Sequence, residues 1–406
     1  MDSWISYSVW WHVYPLGFTG GLHAGPGHRL GRIVDWMDYA VELGANGLLL
    51  GPIFASSTHG YDTIDHFRID PRLGDDGDFD ALVAAARARG LRLLLDGVFN
   101  HVGRGFEAAP SWFSGSVFEG HDELPELDHA NPEVVDYTVQ VMEHWLGRGA
   151  DGWRLDAAYA VEPAFWKAVL DRVRATHPAA WFVGEMIQGD YAGYQRDSGL
   201  DAVTQYELWK AIWSSLNDGN FFELAWALKR HASVHLPMTF VGNHDVTRIA
   251  SRLDDPRHLA HALVVLFLAG GVPSVYYGDE QAFRGVKEER FGGDDAIRPE
   301  FPASPGDLAP YGWPTYRLHE RLIGFRRRHP WLAEAALTSE HLTNTAVALR
   351  STNGAEQVIA LLNVGDDAYT FPIEAGGLSL AEKGDDQSDP LTVPAHGWAI
   401  LTSAGE

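Results

Sequence analysis

The chain has 406 residues and a formal net charge of −24, from 31 Lys plus Arg against 55 Asp plus Glu. This charge disfavours binding to a phosphate backbone or to an anionic membrane surface through general electrostatics. The lack of Cys excludes disulfides, thiolate metal sites and cysteine catalysis. Because the length exceeds that of an average domain, we expect one large domain and one small one.

The N-terminal sequence MDSWISYSVWWHVYPLGF has no basic region followed by an apolar run and a cleavage site. No window of about 18 consecutive uncharged apolar residues predicts a membrane span either. We therefore expect a soluble, cytoplasmic protein, with neither nucleic acid nor a membrane as a partner.

Short apolar runs alternate along the chain with longer amphipathic segments. The runs predicted as strands are Val9–Tyr14, Gly47–Leu50, Leu91–Leu95, Gly152–Leu155, Trp181–Val183, Ala202–Gln205, Pro237–Val241 and Pro273–Tyr277. The segments predicted as helices are Ile33–Leu43, Asp78–Arg89, Pro132–Leu146, Glu162–Thr176, Leu208–Leu216, Phe221–His231, His258–Ala269 and Tyr316–Arg328. This alternation predicts an α/β fold with a parallel sheet, and eight strands predict a (β/α)8 TIM barrel.

A doubly wound open sheet is the alternative α/β architecture. It would usually carry a Gly-rich phosphate-binding fingerprint after its first strand. Tyr14–Gly21 (YPLGFTGG) does not have that pattern. The barrel is therefore the preferred prediction.

From about Leu332 the helical period disappears and short β-rich runs are separated by Gly, Asp, Ser and Pro. This pattern predicts a small antiparallel β-sandwich. The predicted domains are a barrel at 1–101 and 132–331, a short insertion after strand three at 102–131, and a C-terminal β domain at 332–406.

Three acidic residues, Asp156, Glu185 and Asp245, lie at or just beyond the ends of predicted strands. The C-terminal strand ends of a barrel meet in one mouth, so these carboxylates are expected to share a site. A single Asp in such a position is usually a helix cap or a turn residue. Its repetition after several strands of one barrel favours a catalytic site.

The residues next to these acids are informative. Arg154 lies two positions before Asp156, so both side chains are expected on the same face of a strand. An Arg in that position is expected to hold Asp156 ionised, whereas an apolar strand and two nearby acids are expected to raise the pKa of Glu185. One ionised and one protonated carboxyl group in the same site can act as a nucleophile and as a proton donor.

The chain resembles the α-amylase family of retaining glycoside hydrolases in an ordered set of motifs. They are Asp96–His101 (DGVFNH), Gly152–Ala157 (GWRLDA), Val183–Met186 (VGEM) and Phe240–Asp245 (FVGNHD), supported by Gly51–Asp70, Leu124–Asp128 and Gly271–Glu280. The resemblance implies that Asp156 is the nucleophile, Glu185 the general acid and then base, and Asp245 the stabiliser of the transition state. It also implies a set of sugar-binding residues, namely Tyr61, Asp62, His101, Arg154, His244, Asp294 and Arg298.

The family pattern also raises the question of calcium. Many secreted members hold Ca²⁺ beside a sizeable insertion after strand three, but only about residues 102–131 fill that place here. Asn100 matches a family ligand position, yet the six to eight oxygen ligands that Ca²⁺ takes are not apparent nearby. We therefore predict no metal and no cofactor.

The resemblance narrows the expected substrate. Because the first predicted strand begins within ten residues of Met1, we expect no large N-terminal domain of the kind that some members have. Ala157 after the implied nucleophile resembles members that act on α-1,4 bonds. We expect hydrolysis of malto-oligosaccharides or cyclodextrins by a small member similar to the cyclomaltodextrinases.

Three other functions remain open at this point. A glucanotransferase would use the same covalent intermediate with a sugar as acceptor, and an inactive relative would be a carbohydrate-binding or partner subunit. A metal-dependent barrel hydrolase would need clustered ligands from His101, His244, Asp96 and Asp245.

Overall fold

The computed structural model describes residues 4–290, 292–384 and 389–403. The predicted domain ranges extend outside these residues at both termini, at 291 and at 385–388. Eight short parallel strands form the main sheet: β1 (Trp10–Val13), β2 (Gly47–Leu50), β3 (Arg92–Gly97), β4 (Gly152–Leu155), β5 (Trp181–Gly184), β6 (Ala202–Val203), β7 (Met238–Thr239) and β8 (Val272–Tyr276).

The eight strands close into a barrel. The hydrogen-bonded order is β6-β5-β4-β3-β2-β1-β8-β7. A parallel bridge between Thr204 and Met238 joins the two ends of this order, and the Gln205 N–H donates to the Met238 carbonyl at 3.0 Å. The predicted barrel is confirmed, and the open-sheet alternative is wrong because β6 and β7 meet.

Large aromatic side chains fill the lower interior of the barrel. Trp10 stacks on Trp181 with ring centroids 5.8 Å apart, among inward-facing aliphatic residues. Gly47, opposite Trp10 in the parallel register, leaves room for that ring, because a Cβ at Gly47 would lie 2.4 Å from it. The barrel is thus a packed core and its chemistry is confined to its rim.

Helices surround the barrel; most are amphipathic and bury one face, whereas Leu259–Leu268 is buried on almost all sides. They are Pro15–Phe18, Gly31–Asp35, Met37–Leu43, Asp76–Ala88, Pro132–Arg148, Pro163–Thr176, Tyr191–Ser198, Tyr206–Asn217, Phe221–His231, Ile249–Arg252, Leu259–Leu268 and Trp313–Arg328.

Local capping explains where several helices begin. Asp75 accepts hydrogen bonds from the N–H groups of Gly77 and Asp78 in a capping box, so the helix predicted from Asp78 begins at Asp76.

The predicted helix Ile33–Leu43 is two helices, Gly31–Asp35 and Met37–Leu43, because the backbone bends at Trp36.

The segment after β3 forms a short excursion from the barrel. It contains two 3₁₀ turns, Pro110–Trp112 and Phe118–Gly120, and an antiparallel pair of strands, Phe113–Val117 and Pro125–Leu127. A second hairpin, Phe54–Ser56 with Thr63–Ile69, follows β2 and was not predicted. Both excursions start at the C-terminal rim of the barrel, the end at which Asp156, Glu185 and Asp245 lie.

The C-terminal region is antiparallel, as predicted. Its strands are β9 (Thr338–Leu342), β10 (Ala346–Asn353), β11 (Glu356–Asn363), β12 (Tyr369–Thr370), β13 (Leu378–Lys383), β14 (Thr392–Val393) and β15 (Trp398–Ser403). Five of them form a sheet in the order β9-β10-β11-β15-β13, and β12 pairs with β14. Apolar residues that include Ile359, Phe371 and Leu401 form a separate core. The predicted domain boundaries themselves stay predictions.

Among the residues that the structure describes, no helix is both long enough and apolar enough to cross a membrane.

Candidate active site

Asp156, Glu185 and Asp245 lie together at the C-terminal rim of the barrel. The backbone ladder continues past the strand ends, because the Asp156 N–H donates to the Gly97 carbonyl and the Glu185 N–H to the Leu155 carbonyl. The residues Asp156 and Glu185 are 7% and 6% exposed, so their carboxyl groups are held on rigid backbone and nearly dry.

Arg154 joins the carboxyl groups. Its Nη1 lies 3.0 Å from Asp156 Oδ1 and its Nη2 lies 2.7 Å from Glu185 Oε1. The guanidinium is buried and points along the same face of β4 as Asp156, as the two-residue spacing predicts. One cation therefore bridges two acids that are far apart in sequence.

Asp96 is a member of this cluster that the list of predicted site residues left out. Arg154 Nη1 donates to both of its oxygens, at 2.8 and 2.7 Å, and the Tyr61 hydroxyl donates to Oδ2 at 3.0 Å. Its position at the end of the apolar strand β3 was the available signal. The sequence motif Asp96–His101 included this residue, but no role in the glycosidase site was assigned to it.

His244 and Arg298 hold Asp245 from two sides. His244 Nε2 lies 2.9 Å from Asp245 Oδ2, and Arg298 Nη2 lies 3.0 Å from Asp245 Oδ1. The same Arg298 nitrogen lies 2.8 Å from Asp294 Oδ2. The predicted pair Asp294 and Arg298 is thus linked to the cluster through Asp245.

Tyr61 forms one wall of the site. Its ring stacks on His244 at 5.1 Å with an interplanar angle of 1°, and its hydroxyl hydrogen-bonds His244 Nε2. Asp62 follows it, with Oδ2 accepting from Thr58 at 2.7 Å and Oδ1 buried without a hydrogen-bond partner. An unpaired buried acceptor beside a cleft is available to a ligand hydroxyl.

His101 lies where the segment after β3 meets the barrel. Its Nε2 donates to the Tyr61 carbonyl at 3.1 Å, and its ring stacks on Phe118 at 4.3 Å. Glu119 of the same segment accepts a hydrogen bond from Tyr159, three residues after Asp156, at 2.9 Å. The short insertion therefore closes one side of the site.

Tyr206 contacts the site and was missed by sequence reasoning. Its hydroxyl donates to Glu185 Oε1 at 3.2 Å and accepts from Asn243 Nδ2 at 2.8 Å. It is the first residue of a helix just after β6, so a polar side chain after a predicted strand was the available signal. The strand was predicted to run to Gln205, but no catalytic motif marked the next residue.

Burial dominates the electrostatics of the two central acids. It raises the pKa of Glu185 to about 7 and the pKa of Asp156 to about 7, against the opposing charge of Arg154. Burial likewise raises the pKa of Asp96 to about 6. At Asp245 burial also acts upward, but contacts with His244 and Arg298 outweigh it, and the pKa lies below its ordinary value.

The expected rise in the pKa of Glu185 is present; at Asp156 the charge of Arg154 lowers the pKa, as expected, but burial outweighs it. One guanidinium contacts Asp96, Asp156 and Glu185 at the same time, so its charge is divided among three carboxyl groups. Burial therefore raises the pKa of Asp156 by more than its share of the Arg154 charge lowers it. Asp156 and Glu185 therefore titrate as a pair, with Asp245 staying ionised.

The residues that the metal-dependent alternative needs do not form a metal-binding group among the described residues. Among described residues, the His and carboxylate groups able to hold a metal ion together are Asp255–His258–His396 and His28–Asp75–Asp78. Neither includes His101, His244, Asp96 or Asp245. Asn100, the family's calcium position, is buried and its amide contacts the His101 ring at 3.2 Å. That no calcium is required stays a prediction.

A closed (β/α)8 barrel carries its active site at the C-terminal rim, and paired carboxyl groups in that position are the catalytic groups of glycoside hydrolases. The fold and the acid cluster therefore indicate a barrel enzyme of the glycosidase class. Residues 12–121 and 111–363 match the model of the alpha amylase catalytic domain, and the chain belongs to this family.

Similar proteins include an intracellular maltogenic amylase of Bacillus subtilis (strain 168), 30% identical over 339 residues that cover 70% of this chain and 57% of that protein. The match thus spans little more than half of that relative. A cyclomaltodextrinase of Geobacillus thermopakistaniensis is 29% identical, with 98% of this chain and 77% of that protein covered. Among solved structures, the ligand-free cyclic alpha-maltosyl-(1→6)-maltose hydrolase of Arthrobacter globiformis has a TM-score of 0.83 and 26% identity, covering 99% of this chain and 100% of that one.

Proposed function

We propose that this protein is a retaining glycoside hydrolase that cleaves α-glucosidic bonds, in the first place α-1,4 bonds, of malto-oligosaccharides or cyclodextrins. The observation that carries the proposal is the Arg154 bridge, with Nη1 at 3.0 Å from Asp156 and Nη2 at 2.7 Å from Glu185. Two acids on one guanidinium, both with a raised pKa, can share one proton between them, as a nucleophile and a general acid must.

In the first step the Asp156 carboxylate attacks the anomeric carbon, and Glu185 gives its proton to the oxygen of the leaving sugar. The C–O bond to that sugar breaks as the bond to Asp156 forms, which leaves a covalent glycosyl-enzyme. Asp245 stays ionised through its contacts with His244 and Arg298, so it can stabilise positive charge that develops on the sugar ring.

In the second step Glu185, now a carboxylate, takes a proton from water. The water oxygen bonds to the anomeric carbon, the bond to Asp156 breaks, and the original anomeric configuration is restored. Arg154 and the Ala157 N–H, which donates to Glu185 Oε2 at 2.9 Å, hold the Glu185 carboxylate in place for this exchange.

The proposed substrate class is supported by the names of similar proteins. They include a maltogenic amylase, cyclomaltodextrinases, a neopullulanase and a hydrolase of a cyclic maltosyl-maltose. The match to the last of these covers almost the whole of both chains, whereas the match to the cyclomaltodextrinase leaves about a quarter of that protein uncovered. The maltogenic amylase of Bacillus subtilis is described as intracellular, which supports the further proposal that this protein also acts in the cytoplasm.

The test is a product analysis of purified protein with maltotriose, maltoheptaose, β-cyclodextrin, isomaltose, sucrose and starch, with and without chelator. We expect shorter α-glucans with retained anomeric configuration, unaffected by the chelator. Asp156→Asn and Glu185→Gln should each lower turnover at least about 100-fold while the circular dichroism spectrum is kept. Asp80→Asn, an exposed acid, is the matched control.

Either variant keeping more than about a tenth of the activity would remove these residues from the reaction. Products longer than the substrate would indicate the glucanotransferase alternative. Inactivity on the whole panel would favour a binding subunit or a rarer α-linked substrate.

A further inference from the structure

A second group of titratable side chains lies where the barrel meets the C-terminal sheet. Asp255 precedes and His258 ends the 3₁₀ turn Pro256–His258, which leads into the helix Leu259–Leu268, and this helix packs on β11. His396 lies in the turn before β15. His258 Nε2 and His396 Nδ1 are 3.0 Å apart, and His396 Nδ1 lies 4.0 Å from Asp255 Oδ2.

The geometry of His396 resembles that of a metal-bound imidazole. Its Nε2 lies 3.0 Å from Asp366 Oδ1, so the proton belongs on Nε2 and the lone pair of Nδ1 points toward His258 and Asp255. A carboxylate on the far nitrogen is the usual partner of a metal-ligating His, because it fixes the tautomer and the ring orientation.

The backbone at His396 is also unusual. Its φ is +52°, in the left-handed region that non-glycine residues rarely occupy. The His396 N–H donates to the Gly365 carbonyl at 3.1 Å, which holds the turn in this conformation. A glycine would adopt this conformation without strain, and Gly397 is the next residue, yet the left-handed position is occupied by His396. Strain of this kind is concentrated at ligand-binding positions.

We propose that Asp255, His258 and His396 bind a divalent transition metal, with Zn²⁺ as the ion they suit, and that this ion fastens the C-terminal sheet to the barrel. Two imidazole nitrogens and one carboxylate oxygen, all within 4.8 Å of one another, are a common protein contribution to tetrahedral Zn²⁺. Water completes the fourth position. The inference is independent of the proposed catalytic function.

The other charged groups around the site set the conditions for binding. Arg257 contacts Asp255 through Nε at 3.0 Å from each oxygen, and it competes with a metal for that carboxylate. Its side chain is 59% exposed, so it can leave. His261 is not available as a ligand through Nε2, which donates to the carbonyls of Asn363 and Gly397 at 3.1 and 2.8 Å.

The second possible group, His28 with Asp75 and Asp78, is a poor metal site. Asp75 Oδ1 caps the helix by accepting from the N–H groups of Gly77 and Asp78. Asp78 Oδ2 accepts from the Asp75 N–H and lies 2.6 Å from His28. Because these carboxylate oxygens already accept the hydrogen bonds of the capping box, only the exposed His28 is left as a ready metal ligand. This group therefore provides a matched control.

The test is a titration of tag-free, chelator-stripped full-length protein with ZnCl₂, followed by calorimetry and by metal analysis after dialysis. We expect one tightly bound equivalent and a higher melting temperature with Zn²⁺. His396→Asn should abolish both effects and still fold, because Asn tolerates the left-handed backbone. His28→Gln should behave like the wild type.

Two further variants distinguish a metal site from a simple His–His contact. Asp366→Asn should weaken Zn²⁺ binding about 10–100-fold. Arg257→Gln should strengthen binding, because it removes the competing cation. Absence of stoichiometric binding to the wild type, or binding that His396→Asn leaves unchanged, would overturn the proposal.

Discussion

Arg154 donates from Nη1 to both carboxylate oxygens of Asp96, at 2.8 and 2.7 Å, at the base of the acid cluster. Both side chains are almost completely buried. Asp96 thus fixes the guanidinium that contacts Asp156 and Glu185, although no reaction step is assigned to Asp96. We regard Asp96 as a positioning residue.

Asp96→Asn is therefore expected to lower kcat about 100-fold or more while changing KM less. The variant leaves Arg154 with less neutralised charge, which should lower the shared pKa of Asp156 and Glu185 and remove the catalytic proton at neutral pH. The measurement is steady-state kinetics across pH on the preferred oligosaccharide. The control is Asp201→Asn, which removes an Arg-paired acid that lies just before β6, at the opposite end of the barrel. Equal losses in both variants would indicate a general stability effect.

The pH profile of kcat/KM is expected to be bell-shaped and centred near neutrality. Burial raises the pKa values of Asp156 and Glu185 to about 7 each. Below that range both groups are protonated and the nucleophile is lost, and above it both are ionised and the general acid is lost. Ordinary carboxyl groups titrate near pH 4. A maximum at pH 4–5 with a decline by pH 6 would contradict the role of burial.

Tyr206→Phe removes the hydroxyl that donates to Glu185 Oε1 at 3.2 Å and keeps the ring that packs on Phe240. That hydrogen bond favours the ionised form of Glu185, so its loss should raise the pKa of Glu185. The alkaline limb of the profile is expected to move to higher pH, with kcat reduced about tenfold. Tyr369→Phe, in the C-terminal sheet, serves as control. An unchanged limb would mean that Tyr206 does not influence the general acid.

Two glycines are expected to respond to substitution by Ala in opposite ways. A Cβ at Gly152, in the strand that carries Arg154, would lie 2.0 Å from the Trp181 carbonyl oxygen. Gly152→Ala should therefore cost about 1–3 kcal/mol of stability. Gly147 is exposed near the end of the helix Pro132–Arg148 and has open space, so Gly147→Ala should add about 0.5–1 kcal/mol. Thermal and urea unfolding measure both effects, and a neutral Gly152→Ala would contradict the close approach of β4 and β5.

Much of the fold was predictable because it depends on local patterns. The alternation of apolar strands and amphipathic helices between Val9 and Arg328 indicated the barrel, and polar residues after the strands indicated its reactive rim. Strands of two residues, such as β6 and β7, were predicted too long, because their pairing ends where the barrel closes and no local signal marks that point.

The fold class, the family resemblance and the acids at the strand ends could all be recognised from the sequence, because parallel strands place their C-terminal ends together wherever the chain folds as a barrel. The contacts of Arg154 with Asp96, Asp156 and Glu185, and the hydrogen bond from Tyr206 to Glu185, became visible in the folded molecule. Hydrogen bonds and desolvation depend on distances between segments far apart in the chain, and these distances set the pKa of each acid. The same reason explains why His396 was recognisable as one group with Asp255 and His258, which lie 138 or more residues earlier in the chain, only in the folded molecule.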